Sequence, residues 1–320
     1  MNQVRLPALT GDSPLGILAA FGVLRLLAQF SDESAKLSWD PASRLAVIHG
    51  RRTSVEEIVK DLQTIVDRID EGSVLPGVAP AFPPPGAAPD GLRAPQTQLR
   101  QTVAPLLVPM AEGERAEAMR WLASLVTDLT SDDTGRAAIS QFTAPTGKQS
   151  MATMLTKPLA AIRKNPDYLR QALMSWRRVP GTTGENLDHR ALWDSAEDGS
   201  GDANMRGVPG ATWLALMSYP LLRTTVGLRH RPLSSGWHTT KLPGGRAYSE
   251  LRLPLWEQPI SPPGVTALVE HPAMAECVTG DGRSSPTEAL QSLGVFSVCR
   301  SRRYQPPGGQ SAGVLRTIDT

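Results

Sequence analysis

The string FTAPTGKQS, Phe142 to Ser150, carries the most pointed local chemistry in the chain, because Gly147 and Lys148 stand just before a helical pattern. A nucleotide-binding P-loop needs a Gly five residues before the Gly of its Gly-Lys pair, and a Ser or Thr directly after the Lys to hold magnesium. Those places are filled by Phe142 and Gln149, so the P-loop reading fails. What survives is a small-residue turn at a helix start, where Lys148 and Gln149 with free amides and a positive dipole end suit one phosphate of a backbone. An ordinary capped turn reads the same way. The tail offers looser chemistry of the same kind, with Arg300, Arg302, Arg303 and Tyr304 ahead of Gly308, Gly309, Gln310 and Ser311. Basic residues, an aromatic and a Gly-rich turn can track a single strand of nucleic acid, and they also describe a surface loop.

Five histidines stand at 49, 189, 230, 238 and 271, none in an H-E-x-x-H or paired-cysteine spacing, so no metal site is predicted. His189 is the best placed for acid-base work, flanked by Glu185, Asp188 and Asp194, and a small hydrolase using His189 is the enzymatic alternative. An ion-paired structural histidine is the plainer reading. There is no G-x-S-x-G string, and Cys277 and Cys299 lack a neighbouring His to make a thiolate, so no catalytic residue and no cofactor is assigned. Two cysteines cannot build a disulfide framework, which fits a reducing, cytoplasmic setting. Among seven tryptophans, Trp121 and Trp213 fall on apolar helix faces, whereas Trp237, in SSGWHTTK, is read as a possible base wedge.

The net charge is only +2, but it is unevenly spread. Residues 1 to 90 carry 8 basic and 11 acidic groups, while 145 to 180 carry seven basic groups, among them Lys148, Lys157, Arg163, Lys164, Arg177 and Arg178, against Asp167 alone. A second basic block spans 223 to 252 and a third, 283 to 316, holds five Arg against Glu288. Such blocks are candidate polyanion surfaces, or basic and acidic faces that pair in space.

The elements that must position these residues follow from periodicity. Ser13 and Pro14 open a helix whose apolar stripe runs from Leu15 to Phe30, too interrupted by Gly16, Gly22 and Arg25 to be a membrane span. Lys36 to Asp40 and Arg44 to His49 read as a hairpin, and Ser54 with Glu57 caps an amphipathic helix to Ile69. The stretch 76 to 110 is rich in proline, which lacks the amide donor, and is read as a linker or long loop between an N-terminal helix-hairpin-helix region, 1 to 75, and a mixed region, 111 to 320. In the latter, helices are predicted over Glu112 to Leu129 with Met119 and Leu129 inward, Met151 to Ile162, Asp167 to Trp176, and Ala211 to Leu222. β-leaning segments run through Tyr248 to Leu255, a short helix is capped by Ser285, Pro286 and Glu288, and a strand covers Val295 to Ser301. The fold class expected is α+β, mostly helical with short antiparallel strands and many loops.

The segment LPALTGDSPLGILAAFGVLRLL, residues 6 to 27, with FTAPTGKQS, GENLDHRALW and GVPGATWLAL, resembles CRISPR-associated effector proteins of the type I-G (formerly I-U) systems, of large-subunit or helicase-extension kind. The chain departs from those in being short for a large subunit and in lacking a helicase P-loop or a His-Asp nuclease signature. The resemblance implies a non-catalytic subunit of an RNA-guided surveillance complex that binds nucleic-acid backbone and contacts the DNA duplex next to the target or the displaced strand, whose partners would be crRNA, target DNA, other effector subunits and a helicase-nuclease, with no membrane. It points to Lys148, Gln149, Lys157, Arg163, Lys164, Arg177, Arg178, Arg302 and Arg303 as phosphate contacts, with affinity that falls as salt rises. A purely protein-binding subunit, docking through the proline-rich stretch and the first helix, is the third reading.

Overall fold

A computed structural model describes residues 1–84, 92–143, 150–188, 190, 205–241, 247–276, 286–304 and 313–318. The architecture is α+β, and its strands form small antiparallel sheets.

The first element is a strand, β1 (Asn2–Thr10), where the sequence reading begins with a helix. Val4 and Leu6 point inward while Gln3 and Arg5 face solvent, the two-residue alternation of a half-buried strand, which Pro7 and Arg5 obscure in the sequence. Helix α1 (Pro14–Phe30) follows, and every residue from Pro14 to Leu27 is buried. An all-round apolar helix of this kind belongs at the centre of a core. The hairpin β2 (Lys36–Trp39) and β3 (Leu45–Gly50) forms as expected, and β3 pairs with β1 on its other edge, giving the order β1-β3-β2. Helix α2 (Val55–Asp67) begins where predicted: the Ser54 hydroxyl accepts the Glu57 amide, and the Glu57 carboxylate accepts the Thr53 amide.

The proline-rich stretch 76 to 110 does not run free. Val78, Phe82, Leu92 and Val103 are buried in the main core, and helix α3 (Leu99–Leu107) carries Pro105 within it. The apolar cluster runs from Val4 to Leu315 and draws on the regions before, within and after that stretch. Helix α4 (Glu112–Leu125) is shorter than predicted. It turns into strand β4 (Val126–Ser131), which pairs with β5 (Ala137–Ile139). Its inward face is Glu117, Ala118, Trp121, Ser124 and Leu125, so Met119 and Leu129, expected inward, are 46% and 51% exposed. The reason is the buried pair of Arg25 and Glu117, which fixes the rotation of α4 against α1.

Helices α5 (Met151–Lys164) and α6 (Asp167–Met174) follow prediction. After the short strands β6 (Val179–Pro180) and β7 (Arg206–Gly207), helix α7 (Pro209–Met217) is buried along its whole length against α1. A Cβ at Gly22 would overlap the Leu214 carbonyl oxygen, so the two helices approach closer there than any side chain allows. Strands β8 (Thr224–Val226) and β9 (Pro232–Ser234) pair with each other.

The second main sheet is built from β10 (Trp237–Lys241), β11 (Ala247–Trp256), β12 (Val295–Tyr304) and β13 (Val314–Thr317), in sequence order and antiparallel. The strand predicted to stop at Ser301 therefore runs three residues further, and β13 is an added strand where the sequence reads as tail. Helices α8 (Pro262–Val269) and α9 (Glu288–Ser292) lie between β11 and β12, the latter capped by Thr287. Trp256 joins the two main sheets: its indole N–H donates to the Leu37 carbonyl at 2.8 Å, and its ring meets Trp39 edge-on at 6.4 Å and Phe21 at 5.8 Å.

Candidate nucleic-acid interface

Side chains alternate across a strand, so register assigns the polar residues of the β10–β13 sheet to one face. His238 stands opposite Glu250, Arg252 opposite Arg300, and Arg302 opposite Arg316. With Tyr248 and Tyr304 they form a face that carries charge where the opposite face carries Trp237, Leu251, Leu253, Cys299 and Leu315.

Part of that charge is internal. Glu250 is wholly buried and takes Arg300 through two hydrogen bonds, at 2.6 and 2.8 Å, and the Arg252 Nε at 2.8 Å. Arg252 also donates to the carbonyls of Met274 and Ala275 and to the Thr240 hydroxyl. Burial works against the Glu250 charge, but hydrogen bonds from Arg300 and Arg252 outweigh it, and its pKa lies below the ordinary carboxylate value. Arg252 and Arg300 are thus structural, although the sequence counts them among the basic blocks. Arg223, from the same block as Arg252, is held by Glu270 at 2.6 and 2.7 Å.

Beyond the triad a cleft draws on residues of both faces. Arg302 and Arg303 from β12, Trp237 from β10, Tyr248 and Ser249 from β11, and Gln141 and Thr143 line a cleft of about 450 Å³. Arg302 is exposed at its rim. Arg303 turns inward, donating to the carbonyls of Gln141 at 2.7 Å, Phe142 at 3.1 Å and Gly313 at 2.9 Å, with its guanidinium 5.7 Å from the Trp237 ring centre. Burial pulls its pKa down to about 10, which still leaves it charged at neutral pH. Trp237, read from sequence as a base wedge, is only 3% exposed and is packed edge-on against Phe142 at 5.8 Å. It is a wall of the cleft and does not project from it, because the apolar face of the sheet needs a large ring at that register.

A second groove, of about 480 Å³, shares Gln141, Trp237, Tyr248 and Ser249 with the first and adds Arg231 and His238. Arg231 is exposed. Desolvation, reinforced by nearby Arg252, drives the His238 pKa down to about 4, so the ring is neutral at physiological pH. The two grooves therefore flank Tyr248 with an exposed arginine on either side.

The first basic block lies elsewhere. Lys157, Arg163 and Lys164 are exposed on α5, and Arg163 donates to the Ile69 carbonyl at 2.6 Å, just beyond α2. Arg177 is exposed after α6, while Arg178 is ion-paired with Asp188 at 2.8 Å and donates to the Arg206 carbonyl. Helices α5 and α6 pack against α7, and α6 also against α2 and β1. Arg163 and the helix α6 of this block thus meet N-terminal elements, whereas Arg302, Arg303 and Trp237 meet at the C-terminal sheet. Lys148, Gln149, His189, Cys277 and the Gly-rich turn at 308 to 311 lie outside the described residues.

Sequence reasoning missed Tyr248, Arg231 and Arg316 as site residues. The signal was present as a two-residue alternation of polar groups, Tyr248-Glu250-Arg252 and Arg300-Arg302-Tyr304, which marks one strand face. Among the described residues no group of three or more His, Cys, Asp or Glu could hold a metal ion, and no helix is long and apolar enough to cross a membrane. Cys299 is buried, and desolvation raises its thiol pKa to about 11, so it is unreactive core as its mid-strand position predicts. No protein-family model matches the chain, and no curated protein matches it either.

Proposed function

We propose that this chain is a non-catalytic, nucleic-acid-binding subunit of a type I CRISPR RNA-guided surveillance complex, holding the backbone of a guide or target strand beside other effector subunits. The observation that carries the binding part is the pair of grooves around Tyr248. There Arg303 from β12 meets Trp237 from β10, two well-separated segments, with the exposed arginines Arg302 and Arg231 at the rims. An aromatic floor with cations beside it suits a strand whose phosphates and bases are contacted without sequence reading. The assignment to a CRISPR complex rests on the residues at 6 to 27 and the three shorter strings quoted above.

The test is fluorescence anisotropy of the purified chain with labelled single-stranded and duplex oligonucleotides over a salt series. Binding whose logarithm falls linearly with the logarithm of salt concentration supports the proposal. Failure to bind either form at low salt, alone or with the neighbouring effector subunits present, overturns it. Charge reversal at Lys157, Lys164 and Arg177 then shows whether the α5 block shares the load.

A further inference from the structure

We propose that the groove beside His238 is a subsite for one unstacked base of the bound strand, with Leu228 taking the place of that base's neighbour in the stack. The inference rests on the reading just given and deepens it. The groove, of about 480 Å³, lies between the β8–β9 hairpin and the β10–β11 pair. Its size falls among small-ligand sites, which run from roughly 300 to 1,000 Å³. The placement of charge sets the ligand class. Among the described lining residues Arg231 is the only group charged at neutral pH, and it is exposed. The other walls set the apolar Leu228 and Leu233 against the neutral polar groups of Tyr248, His238 and Ser249. A cation would meet no carboxylate among those residues, and a phosphate in the interior would meet no cation. A flat ring with polar edges, carrying its negative charge outside the groove, matches the arrangement, and a nucleotide within a strand has that form.

Two of the walls are prepared for such a ring. The Tyr248 hydroxyl donates to the buried Glu250 at 3.1 Å, which tethers the aromatic platform on which a base would stack. His238 holds a buried Nε2 with no hydrogen-bond partner among the described residues. An unpaired buried polar atom is costly, and the edge of a base seated against the imidazole would supply its partner.

The hairpin tip supplies the wedge. Leu228 is 92% exposed, more than any other large apolar side chain among the described residues. Arg229 and His230, which follow it, both adopt left-handed backbone, with φ of 58° and 55°, a conformation that favours glycine and is costly for side chains of this size. The turn is braced from below. Gly227 N–H donates to the Arg231 carbonyl at 2.8 Å, the Thr130 hydroxyl to the His230 carbonyl, and the Thr224 hydroxyl to the Ser124 carbonyl at 2.9 Å. A leucine presented to water on a strained, braced turn does not serve the core, whereas an apolar side chain of this kind inserts between bases. The exposed Arg229 and Arg231 on the same turn suit the flanking phosphates and favour a polyanion over an apolar protein patch. Because the groove shares Tyr248 and Ser249 with the cleft at Arg302, one strand reaches both.

The full chain is titrated with an oligothymidine and with an abasic oligomer of equal length over a salt series. The wild type is expected to bind the base-bearing strand about tenfold more tightly, the size of one stacking contact between a base and an aromatic ring. In Leu228→Ser/Tyr248→Ala that preference is expected to shrink to about twofold or less, while the affinity for the abasic strand and the salt slope are unchanged, because no cation has been removed. Equal binding of the two strands by the wild type overturns the base subsite and leaves the proposed function standing, as does a preference for bases that the variant keeps. Failure of both strands to bind at low salt overturns the subsite and the proposed function together. Release of an effector subunit by Leu228→Ser, with the base preference intact, makes the tip a protein contact and overturns the inference. Should the double variant unfold, Leu228→Ser alone, at an exposed position, gives the same comparison.

Discussion

Glu250 and Arg300 meet diagonally across the neighbouring strands β11 and β12 as a buried two-point ion pair, with Arg252 sharing the same carboxylate oxygen as the Arg300 Nε. The pair holds β11 to β12 at the edge of the proposed interface, and it decides which arginines of the sheet remain for a ligand.

Glu250→Gln removes the charge that two buried guanidinium groups require. Breaking a buried pair by deleting one partner costs about 3–5 kcal/mol, far more than the pair contributes relative to an apolar replacement. Urea unfolding at pH 7 is expected to show a loss of that size. Because the folded pKa of Glu250 lies below its unfolded value, its contribution is complete above the unfolded value and fades as the pH falls through the folded one. A loss under about 1 kcal/mol contradicts the assigned triad.

His238 gives the opposite end of the acid range. Its folded pKa is about 4 against 6.5 for the free side chain, so between those values the unfolded chain takes up a proton that the folded chain refuses. Stability is expected to fall as pH drops from 6.5 toward 4. His49, whose pKa burial also lowers, adds to the same decline, so the informative quantity is the difference between wild type and His238→Gln. The variant's unfolding midpoint should vary less over that interval, and parallel curves would refute the assignment.

Two glycine-to-alanine changes, both within helices, should have opposite signs. At Gly22 the new methyl group overlaps the Leu214 backbone carbonyl, and α1 and α7 must separate; a loss of about 3 kcal/mol or more is expected. At Gly113, in the first turn of α4, nothing lies within 4 Å, and alanine's better helix propensity should add about 0.5 kcal/mol. Thermal melts of the two variants check both directions.

Arg302→Glu and Trp237→Ala separate binding from folding. Arg302 is exposed, so its reversal should leave the melting temperature unchanged while weakening oligonucleotide binding and its salt dependence. Trp237 is core, and truncating a buried tryptophan costs about 3–5 kcal/mol, so any loss of binding there should come with a loss of stability. Normal stability in Trp237→Ala would mean that the ring is not packed as described.

What the sequence determined by itself is what is written in short spacings. The helices α1, α2, α5 and α6, the β2–β3 hairpin and the burial of α7 are legible because apolar residues recur at intervals of two, three or four and because Ser, Pro and Asn mark the ends. The same reading missed β1 and β13, whose pattern is interrupted by Pro7 and by the tail, and it extended α4 into β4, since a run of apolar residues at helical spacing does not say where the backbone turns extended. It read 76 to 110 as a linker or long loop, because proline content reports missing donors and not whether Phe82 and Leu92 find a core.

The site divides along the same line. Composition identified Arg302 and Arg303 as members of a basic block, but only register could show that Arg300 and Arg252 are consumed by Glu250, that Arg303 faces inward to Gln141, and that Arg316 lies beside Arg302. Charge along a chain is a one-dimensional quantity. Which charges neutralise one another depends on distances of a few ångströms, often between residues far apart in sequence, and those are set by strand pairing and helix packing, which the tertiary structure alone decides.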